Sequence, residues 1–239
     1  MNPVWSPDGR DIVFAGKGGI FWTRADGAGK PHPLTQSKNL QVPFSFTSDG
    51  KRLAWYERTE SMGYALCTMP LERDGTELRA GTPELFLRDS VGARHPMFSP
   101  DGRWLAYTSN ESGTSQVSVR AFPDRGGKWQ ISHESGSYPV WARDRREVFF
   151  RAGDNRIMVA AYTVDGDSFV ADQPRVFSDQ RVPDFGVVEL GSYDLAPDGK
   201  RVAALMPVET AEAQQAQNHV IFLQNFFDEL RRKVPVARR

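Results

Sequence analysis

Short apolar runs alternate with turn-forming residues along most of the chain. Runs such as residues 12–14, 53–55 and 105–107 each follow a stretch rich in Ser, Pro, Asp and Gly. β-Branched and aromatic residues bounded by such turn residues are typical of β-strands. Helical periodicity does not appear before residue 225, so the pattern predicts an all-β protein.

The turn motif recurs five times, which makes it a structural repeat. Each copy carries an aspartate: Asp8, Asp49, Asp101, Asp144 and Asp198. Successive aspartates are 41, 52, 43 and 54 residues apart. Spacings of about 40 to 50 residues with strand-like content are typical of β-propeller blades.

Each copy predicts four antiparallel strands. A first strand precedes the turn and a second follows it, at residues 12–14, 53–55, 105–107, 148–150 and 202–204. The third apolar runs lie at residues 20–22, 64–66, 117–119, 157–160 and 220–223, and the fourth runs at residues 33–35, 85–87, 129–131 and 175–177. The predicted blades span about residues 1–37, 38–90, 91–134, 135–187 and 188–224.

Each residue of the motif favours a tight turn for a known physical reason. Proline presets φ, aspartate bonds its own downstream backbone, and glycine accepts positive φ. The aromatic residue before the turn is expected to pack between neighbouring sheets, at Trp5, Phe46, Phe98 and Trp141. The five aspartates lie in separate blades, so we interpret them as turn residues and not as an acid or metal array. The fourth copy lacks both proline and glycine, and the fifth has Leu195 in the aromatic position.

The end of the chain has a different pattern. After the run at residues 220–223, Asn225 is a plausible N-cap, acidic residues follow in the first turn, and Pro235 ends the segment. Phe226, Phe227 and Leu230 share one broad face. Residues 225–239 are therefore predicted to form a short amphipathic helix with a basic tail.

Charge and composition narrow the function classes. The chain has 239 residues, with 30 Lys plus Arg and 30 Asp plus Glu, so its net charge of zero gives no general attraction to nucleic acid or to an anionic membrane. Cys67 is the single cysteine, which excludes an internal disulfide, and its apolar run predicts a core position. Neither a leader segment nor an apolar run of about 20 residues is present, so no membrane segment is expected in this chain.

The first repeat carries a family resemblance. Pro-Val-Trp-Ser-Pro-Asp-Gly-Arg-Asp-Ile-Val-Phe, from Pro3 to Phe14, resembles the WD40-like repeats of TolB-type propellers. The Gly-His and Trp-Asp pairs of classical WD repeats are missing. The resemblance covers about residues 1–224 and implies a β-propeller, but such repeats serve many functions.

The tail carries a second resemblance. From Asn218 to Pro235 the chain is similar to the ends of propellers fused behind eukaryotic-type serine/threonine kinases of some soil bacteria. That resemblance implies an upstream kinase domain, a membrane tether and an extracytoplasmic location for the propeller. The chain itself has no Gly-rich loop before a Val-Ala-Ile-Lys strand, no His-Arg-Asp loop and no Asp-Phe-Gly, so we expect no catalytic residue in it.

The number of predicted blades bears on whether the propeller is complete. Five repeats make four complete blades and a fifth with three strands, and the strand that would complete it is expected upstream of Met1. We therefore expect this chain to be part of a larger propeller. The alternative is a compact five-bladed ring, which would leave no unpaired sheet edges.

A binding site is expected where the chain enters the first strand of each blade. Polar and aromatic residues gather there, at Asn39, Gln41, Arg94, His95, Tyr138 and Tyr193, and they predict a ligand site at one rim of the tunnel. The alternative is that they only solvate the loop ends. The four histidines are scattered without ligand spacing, so neither a metal nor a cofactor is expected.

These observations favour a non-catalytic propeller module that binds a protein or a small ligand at one face, as the sensor part of a bacterial signalling protein. Two alternatives stay open. One is the gating propeller of a prolyl-oligopeptidase-type hydrolase, and the other is a periplasmic TolB-type interaction protein.

Overall fold

The computed structural model describes residues 2–59, 63–89, 92–185 and 191–207. The chain divides into two units, Met1–Leu205 and Met206–Arg239. All twenty strands assigned in these described ranges belong to the first unit, which confirms the all-β prediction. Across the same ranges, no helix has the length and apolar character needed to cross a membrane.

The strands form five antiparallel sheets, one for each repeat. The first sheet contains β1 (Val4–Trp5), β2 (Asp11–Gly16), β3 (Gly19–Arg24) and β4 (His32–Pro33) in that order. The second contains β5 (Leu40–Phe46), β6 (Arg52–Thr59), β7 (Gly63–Asp74), β8 (Glu77–Ala80) and β9 (Glu84–Asp89). The third contains β10 (Arg94–Phe98), β11 (Trp104–Ser109), β12 (Gln116–Ala121) and β13 (Trp129–Gln130).

The last two sheets follow the same order. The fourth contains β14 (Ser137–Trp141), β15 (Glu147–Arg151), β16 (Arg156–Asp165), β17 (Ser168–Ala171) and β18 (Arg175–Arg181). In the fifth, β19 (Tyr193–Leu195) pairs with β20 (Val202–Ala204). The third run predicted for this sheet, residues 220–223, lies outside the described residues.

Two sheets have one strand more than predicted. In the second sheet, β7 pairs with β9 and then continues into a hairpin with β8, across a turn at Gly75 with φ of 60°. In the fourth sheet, β16 pairs with β18 and forms the same hairpin with β17 across Gly166. The four predicted strands are present in both repeats, with residues 85–87 in β9 and residues 175–177 in β18. The added hairpins account for the longer repeat spacings of 52 and 54 residues.

The repeated turn is built by a reciprocal pair of side chains. In the first sheet, Ser6 donates its hydroxyl to the carboxylate of Asp8 and accepts the backbone N–H of Asp11. Asp8 also accepts the N–H of Arg10, and Gly9 has a φ of 70°. The carboxylate thereby replaces backbone partners that the tight turn leaves unpaired.

The same turn arrangement recurs with variations. Thr47 and Asp49 reproduce it in the second sheet, and Ser99 and Asp101 in the third. In the fifth sheet, Asp198 accepts the N–H of Lys200, but alanine stands in the hydroxyl position. These bonds fit the predicted role of the aspartates as turn residues.

Neighbouring sheets are joined by apolar clusters. The aromatic residue before each turn packs toward the preceding sheet, so Phe98 and Trp141 are buried in the clusters that join the second to the third sheet and the third to the fourth. Trp5 departs from this rule, since it is 57% exposed. The expectation that it packs between sheets was wrong, because the described residues contain no sheet on that side of the first.

Each added hairpin packs on the sheet before it. In the second sheet, Leu71 and Leu78 join the cluster formed with Val13 and Ile20 of the first. In the fourth, Phe169 lies edge-on to Trp104 of the third, with ring centroids 5.1 Å apart. The hairpins therefore extend the contact between the first and second sheets and between the third and fourth.

Two predictions, a larger propeller and a C-terminal helix, concern parts of the chain outside the described residues. No strand pairs the first sheet with the fifth among the described residues. The helix predicted for residues 225–239 falls outside them as well. The larger propeller and the proposed boundary near residue 224 therefore stay predictions.

Candidate functional site

A row of aromatic side chains crosses four successive sheets along their first strands. The ring of Phe44 meets His95 edge-on, with centroids 5.2 Å apart. His95 stacks on Tyr138 at 4.0 Å with an interplanar angle of 23°. Tyr193 ends the row by donating its hydroxyl to the carbonyl oxygen of Tyr138 at 2.6 Å. We call these four residues the aromatic row.

Backbone bulges set the direction of the two central rings. His95 and Tyr138 have φ angles of 57° and 54°, which are rare for residues with a side chain. Both lie where the pairing of the first strand with the second shifts register, and a proline follows each of them. A bulge turns a side chain away from the regular alternation of a strand, and here it brings the two rings face to face.

Second-strand side chains support the row from behind. The hydroxyl of Thr108 lies 3.0 Å from Nδ1 of His95 and accepts the backbone N–H of Tyr138 at 3.2 Å. The Arg151 guanidinium lies 4.9 Å from the Tyr138 ring centroid and donates to Ser192 at 3.2 Å. Arg151 is buried, and its Nε has no hydrogen-bond partner within the described residues.

Arg151 and Thr108 were not predicted from the sequence. Both lie seven residues after the repeat aspartate, Asp144 or Asp101, so a position-by-position comparison of the repeats would have placed them at the same level as the row. What each one touches depends on how adjacent sheets pack, which the spacing does not specify.

Burial keeps the end of the row neutral. Tyr193 is 7% exposed, and this burial raises the pKa of its phenol. A neutral phenol can donate its proton to the Tyr138 carbonyl, whereas a phenolate cannot. The hydrogen bond between the fourth and fifth sheets therefore depends on the un-ionised form.

A cavity of about 920 Å³ adjoins the aromatic row. It is lined from the first strands of all five sheets, and His95, Tyr138 and Tyr193 contribute to it. The apolar side chains of the lining that are exposed or half-buried include Trp5, Phe44, Phe46, Met97 and Val140, and the polar side chains of Ser48, Arg143 and Asp194 are exposed beside them. Its charged lining residues within the described chain are Arg143 and Asp194.

The polar groups of the cavity wall are already used within the fold. Ser45 donates to the Pro96 carbonyl and accepts the N–H of Phe98, and Asn2 donates to the Pro43 carbonyl. Ser6, Ser48 and Ser99 donate to other structural acceptors: Asp8, the Pro100 carbonyl and Asp101. Each of these groups links first strands or shapes a turn, so their donors are already occupied within the fold.

The other three predicted rim residues lie elsewhere. Asn39 and Gln41 both donate to the carboxylate of Glu57, and Gln41 also accepts the hydroxyl of Thr35 from the first sheet. Arg94 lies over the Tyr64 ring of the second sheet, 5.2 Å from its centroid. Gln41 and Arg94 contact the preceding repeat, whereas Asn39 bonds within its own sheet. None of the three is among the cavity-lining residues, so the structure brings together three of the six.

Two candidate kinds of chemistry, a metal cluster and a reactive cysteine, can be compared with the described residues. No group of three or more His, Cys, Asp or Glu side chains in these ranges is placed to hold a metal ion. Cys67 packs against the cluster between the first two sheets, and burial raises its thiol pKa to about 12. A thiol of that pKa is protonated near neutral pH and is a weak nucleophile.

Comparison with known proteins identifies the fold. No family model matches the sequence, and no curated protein matches it significantly. The chain is similar in structure to a putative TolB from Agrobacterium tumefaciens, with 20% identity, a TM-score of 0.53, and 73% of this chain and 65% of that one covered. TolB from Acinetobacter baumannii gives 16% identity and a TM-score of 0.51, with 84% of this chain and 53% of that one covered.

The chain is also similar in structure to a protein that is not a TolB. A puromycin-hydrolyzing peptidase from Mycobacterium tuberculosis is 16% identical with a TM-score of 0.57, over 84% of this chain and 34% of that one. At such identities the likeness shows the fold alone, and the fold is a β-propeller. The chain spans less than two thirds of the length of each of these three proteins.

Proposed function

We propose that this chain is a non-catalytic propeller module that binds an apolar segment of a partner protein in the cavity beside the aromatic row. The observation that carries the proposal is the lining of that cavity. Five apolar side chains contribute to it, from Trp5 to Val140, whereas its serine hydroxyls and Asn2 already bond within the fold. Apolar lining with few available polar groups favours aliphatic or aromatic side chains as the ligand.

The wall also disfavours other ligand classes. A sugar or a nucleotide needs several polar partners, and the hydroxyls that could supply them donate to structural acceptors. Nucleic acid needs several cationic contacts, whereas the charged lining residues in the described chain are one arginine, Arg143, and one aspartate, Asp194. Strand addition is disfavoured because prolines interrupt the first strands at Pro43, Pro96 and Pro139.

The similar TolB structures are compatible with an interaction module, since they share the fold. The sensor role in a bacterial signalling protein rests on the resemblance of residues 218–235 and is the cellular setting that we propose. The gating propeller of a hydrolase stays an alternative prediction, for which the likeness to the peptidase supports the fold alone.

Panning a displayed library of short peptides against the chain tests the proposed site. Enriched peptides should be rich in aliphatic and aromatic residues. Val140→Lys, which places a charge in the cavity lining, should weaken their binding about tenfold or more in calorimetry. Val170→Lys is the matched control, since Val170 lies on the hairpin strand β17 and is 56% exposed.

Two outcomes would overturn the proposal. One is equal binding of the enriched peptides to the wild type and to a folded Val140→Lys variant. The other is an equal loss of binding in both variants, which would place the site away from the cavity. Thermal unfolding by circular dichroism shows that each variant is folded.

A further inference from the structure

Two positions of the repeat line the cavity beside the aromatic row. Four residues before the repeat aspartate, all five repeats contribute a lining residue: Val4, Ser45, Met97, Val140 and Asp194. One residue before the aspartate, the first four repeats contribute another: Pro7, Ser48, Pro100 and Arg143. Because equivalent positions of successive sheets meet at one cavity, a repeat that departs from the others changes one part of the wall.

The fourth and fifth repeats bring charge to these positions. Seven of the nine residues are uncharged, and the other two are Arg143 and Asp194. Arg143 stands where the first, third and fifth repeats have proline and the second has serine. Since neutral residues occupy this position in the other four repeats, the repeated turn does not require a cation there. The charge of Arg143 is therefore better explained by a contact outside the turn.

Arg143 has no polar partner within the described part of the chain. It is exposed, and no hydrogen bond or ion pair joins its side chain to another described residue. The nearby Arg145 differs, since it donates to the Asp198 carbonyl and lies 3.9 Å from a carboxylate oxygen of Glu147. A guanidinium presents two parallel N–H donors that match the two oxygens of a carboxylate. The cavity wall thus holds a carboxylate-binding group that no described residue uses.

Asp194 is not a direct counter-ion of Arg143 in the described structure. No ion pair joins the two side chains there, and Oδ1 of Asp194 accepts the N–H of Leu195 at 2.8 Å. A ligand carboxylate would gain a bidentate partner at Arg143, whereas a ligand cation would share Asp194 with the backbone. Arg143 is therefore the more selective of the two charged groups.

We propose that Arg143 selects partner segments that carry an aspartate or a glutamate beside their apolar residues. This inference rests on the proposed function, because it concerns the same cavity and the same kind of partner. Val140 lies three residues before Arg143, so their Cα atoms are at most about 11 Å apart. An extended segment whose apolar side chain lies against Val140 therefore reaches Arg143 with an acidic residue about one to three positions away.

A displayed peptide library tests the selection. Each peptide has a fixed core of three leucines, and the three positions on either side of the core are randomised among Glu, Gln and Lys. On the wild-type chain, Glu should be enriched over Gln on one side of the core. The enriched peptide and its Gln counterpart are then made with blocked termini, so that the side chain supplies the carboxylate. Calorimetry should show about fivefold tighter binding of the Glu form.

Two variants assign this preference to one residue. Arg143→Gln should bind the two peptide forms equally, and Arg143→Glu should prefer Lys at the same position of the peptide. Arg146→Gln is the matched control, because Arg146 is exposed in the same turn, carries the same charge and is not among the cavity-lining residues. It should keep the preference for Glu. Both positions are exposed, so these variants should fold as the wild type does.

The outcomes separate this proposal from the function on which it rests. Equal binding of both peptide forms to the wild type, with Val140→Lys still weakening both, would remove the role of Arg143 and leave the proposed function standing. A preference that survives Arg143→Gln, or one that Arg146→Gln also abolishes, would likewise overturn the contact at Arg143. Failure of the whole library to bind, or binding that Val140→Lys does not change, would overturn the proposed function and this inference with it.

Discussion

The phenol of Tyr193 donates a hydrogen bond to the backbone carbonyl of Tyr138 at 2.6 Å, across the boundary between the fourth and fifth sheets. Tyr193 and Tyr138 are 55 residues apart in the chain, and both are buried. Among the described residues, Arg151 also donates to Ser192 and Arg145 to the Asp198 carbonyl, but the Tyr193 bond is the one made by a member of the aromatic row, so it helps to fix the position of the end of that row.

Tyr193→Phe should loosen the fifth sheet. It removes one neutral hydrogen bond and leaves a buried carbonyl unpaired, at a cost of about 1 kcal/mol, or about fivefold in the opening equilibrium. Hydrogen exchange of amides in β19 and β20 should accelerate by that factor. Tyr107→Phe is the control, since Tyr107 accepts a hydrogen bond from Arg120 within the third sheet. Equal acceleration of these amides in both variants would contradict the conclusion that the Tyr193 hydrogen bond holds the fifth sheet in place.

Alkaline pH should lower the stability of the fold through the buried phenol of Tyr193. Burial raises the pKa of Tyr193 above the value of about 10 for an exposed tyrosine. Above that pH the unfolded chain loses the phenol proton first, so stability that is complete below pH 10 falls as the pH rises, by at most about 1.4 kcal/mol per pH unit. Urea unfolding at rising pH should show a smaller decline in Tyr193→Phe than in the wild type, and equal declines would refute this source.

The repeat spacing was enough to predict the strands, but the two hairpins were missed. The alternation of 41, 52, 43 and 54 residues already marks the second and fourth repeats as longer. Asp74-Gly75 and Asp165-Gly166 are hairpin turn signals inside them. The spacing does not predict where each hairpin packs, because its contacts are in a different repeat. The first hairpin pairs with Asp11 and the second packs on Trp104.

The site was predicted in part for a similar reason. His95, Tyr138 and Tyr193 stand out as aromatic residues at the start of a first strand. Arg151 does not, since its partner Ser192 is 41 residues away and belongs to another sheet. Asn39, Gln41 and Arg94 also lie where the chain enters a first strand, but their environment differs. Glu57 of the same sheet accepts from Asn39 and Gln41, and the ring of Tyr64 in the preceding sheet lies beside Arg94.

Asp49→Ala should destabilise the chain by about 1 kcal/mol, through loss of its bonds to Thr47 and to the N–H of Lys51. Thermal or urea unfolding measures the loss. Asp144→Ala is the matched control, since no turn hydrogen bond of this kind involves Asp144 among the described contacts, and its effect should be smaller. Equal losses would argue against the turn role.

Low pH should remove the stabilisation that the turn aspartates provide. The Thr47 hydroxyl holds the pKa of Asp49 below its usual value, and the Ser6 hydroxyl does the same for Asp8. Carboxylates of lowered pKa stabilise the fold above about pH 4, and this stabilisation is lost as the pH falls through their folded-state values. In urea titrations below pH 4, Asp49→Ala should lose less stability than the wild type. A parallel decline would refute the contribution of this turn.

The Asp11–Arg73 ion pair fastens the first hairpin to the first sheet. Asp11 is buried, and Arg73 reaches it from β7. Arg73→Met would leave a buried carboxylate without its cation and should cost about 3 kcal/mol. Adding Asp11→Asn should recover part of that loss, because the uncompensated charge disappears. Arg79→Met, on the exposed side of the same hairpin, should change stability by less than about 0.5 kcal/mol.

Phe169 fastens the second hairpin by packing rather than by charge. Its ring is buried, stacks on Tyr162 at 4.8 Å and meets Trp104 and Trp141 edge-on. Phe169→Ala should therefore cost about 3 to 5 kcal/mol in urea unfolding. Its neighbour Val170 points outward and is 56% exposed, so Val170→Ala should stay within about 0.5 kcal/mol. Similar losses in the two variants would show that the hairpin does not bury Phe169 on the third sheet.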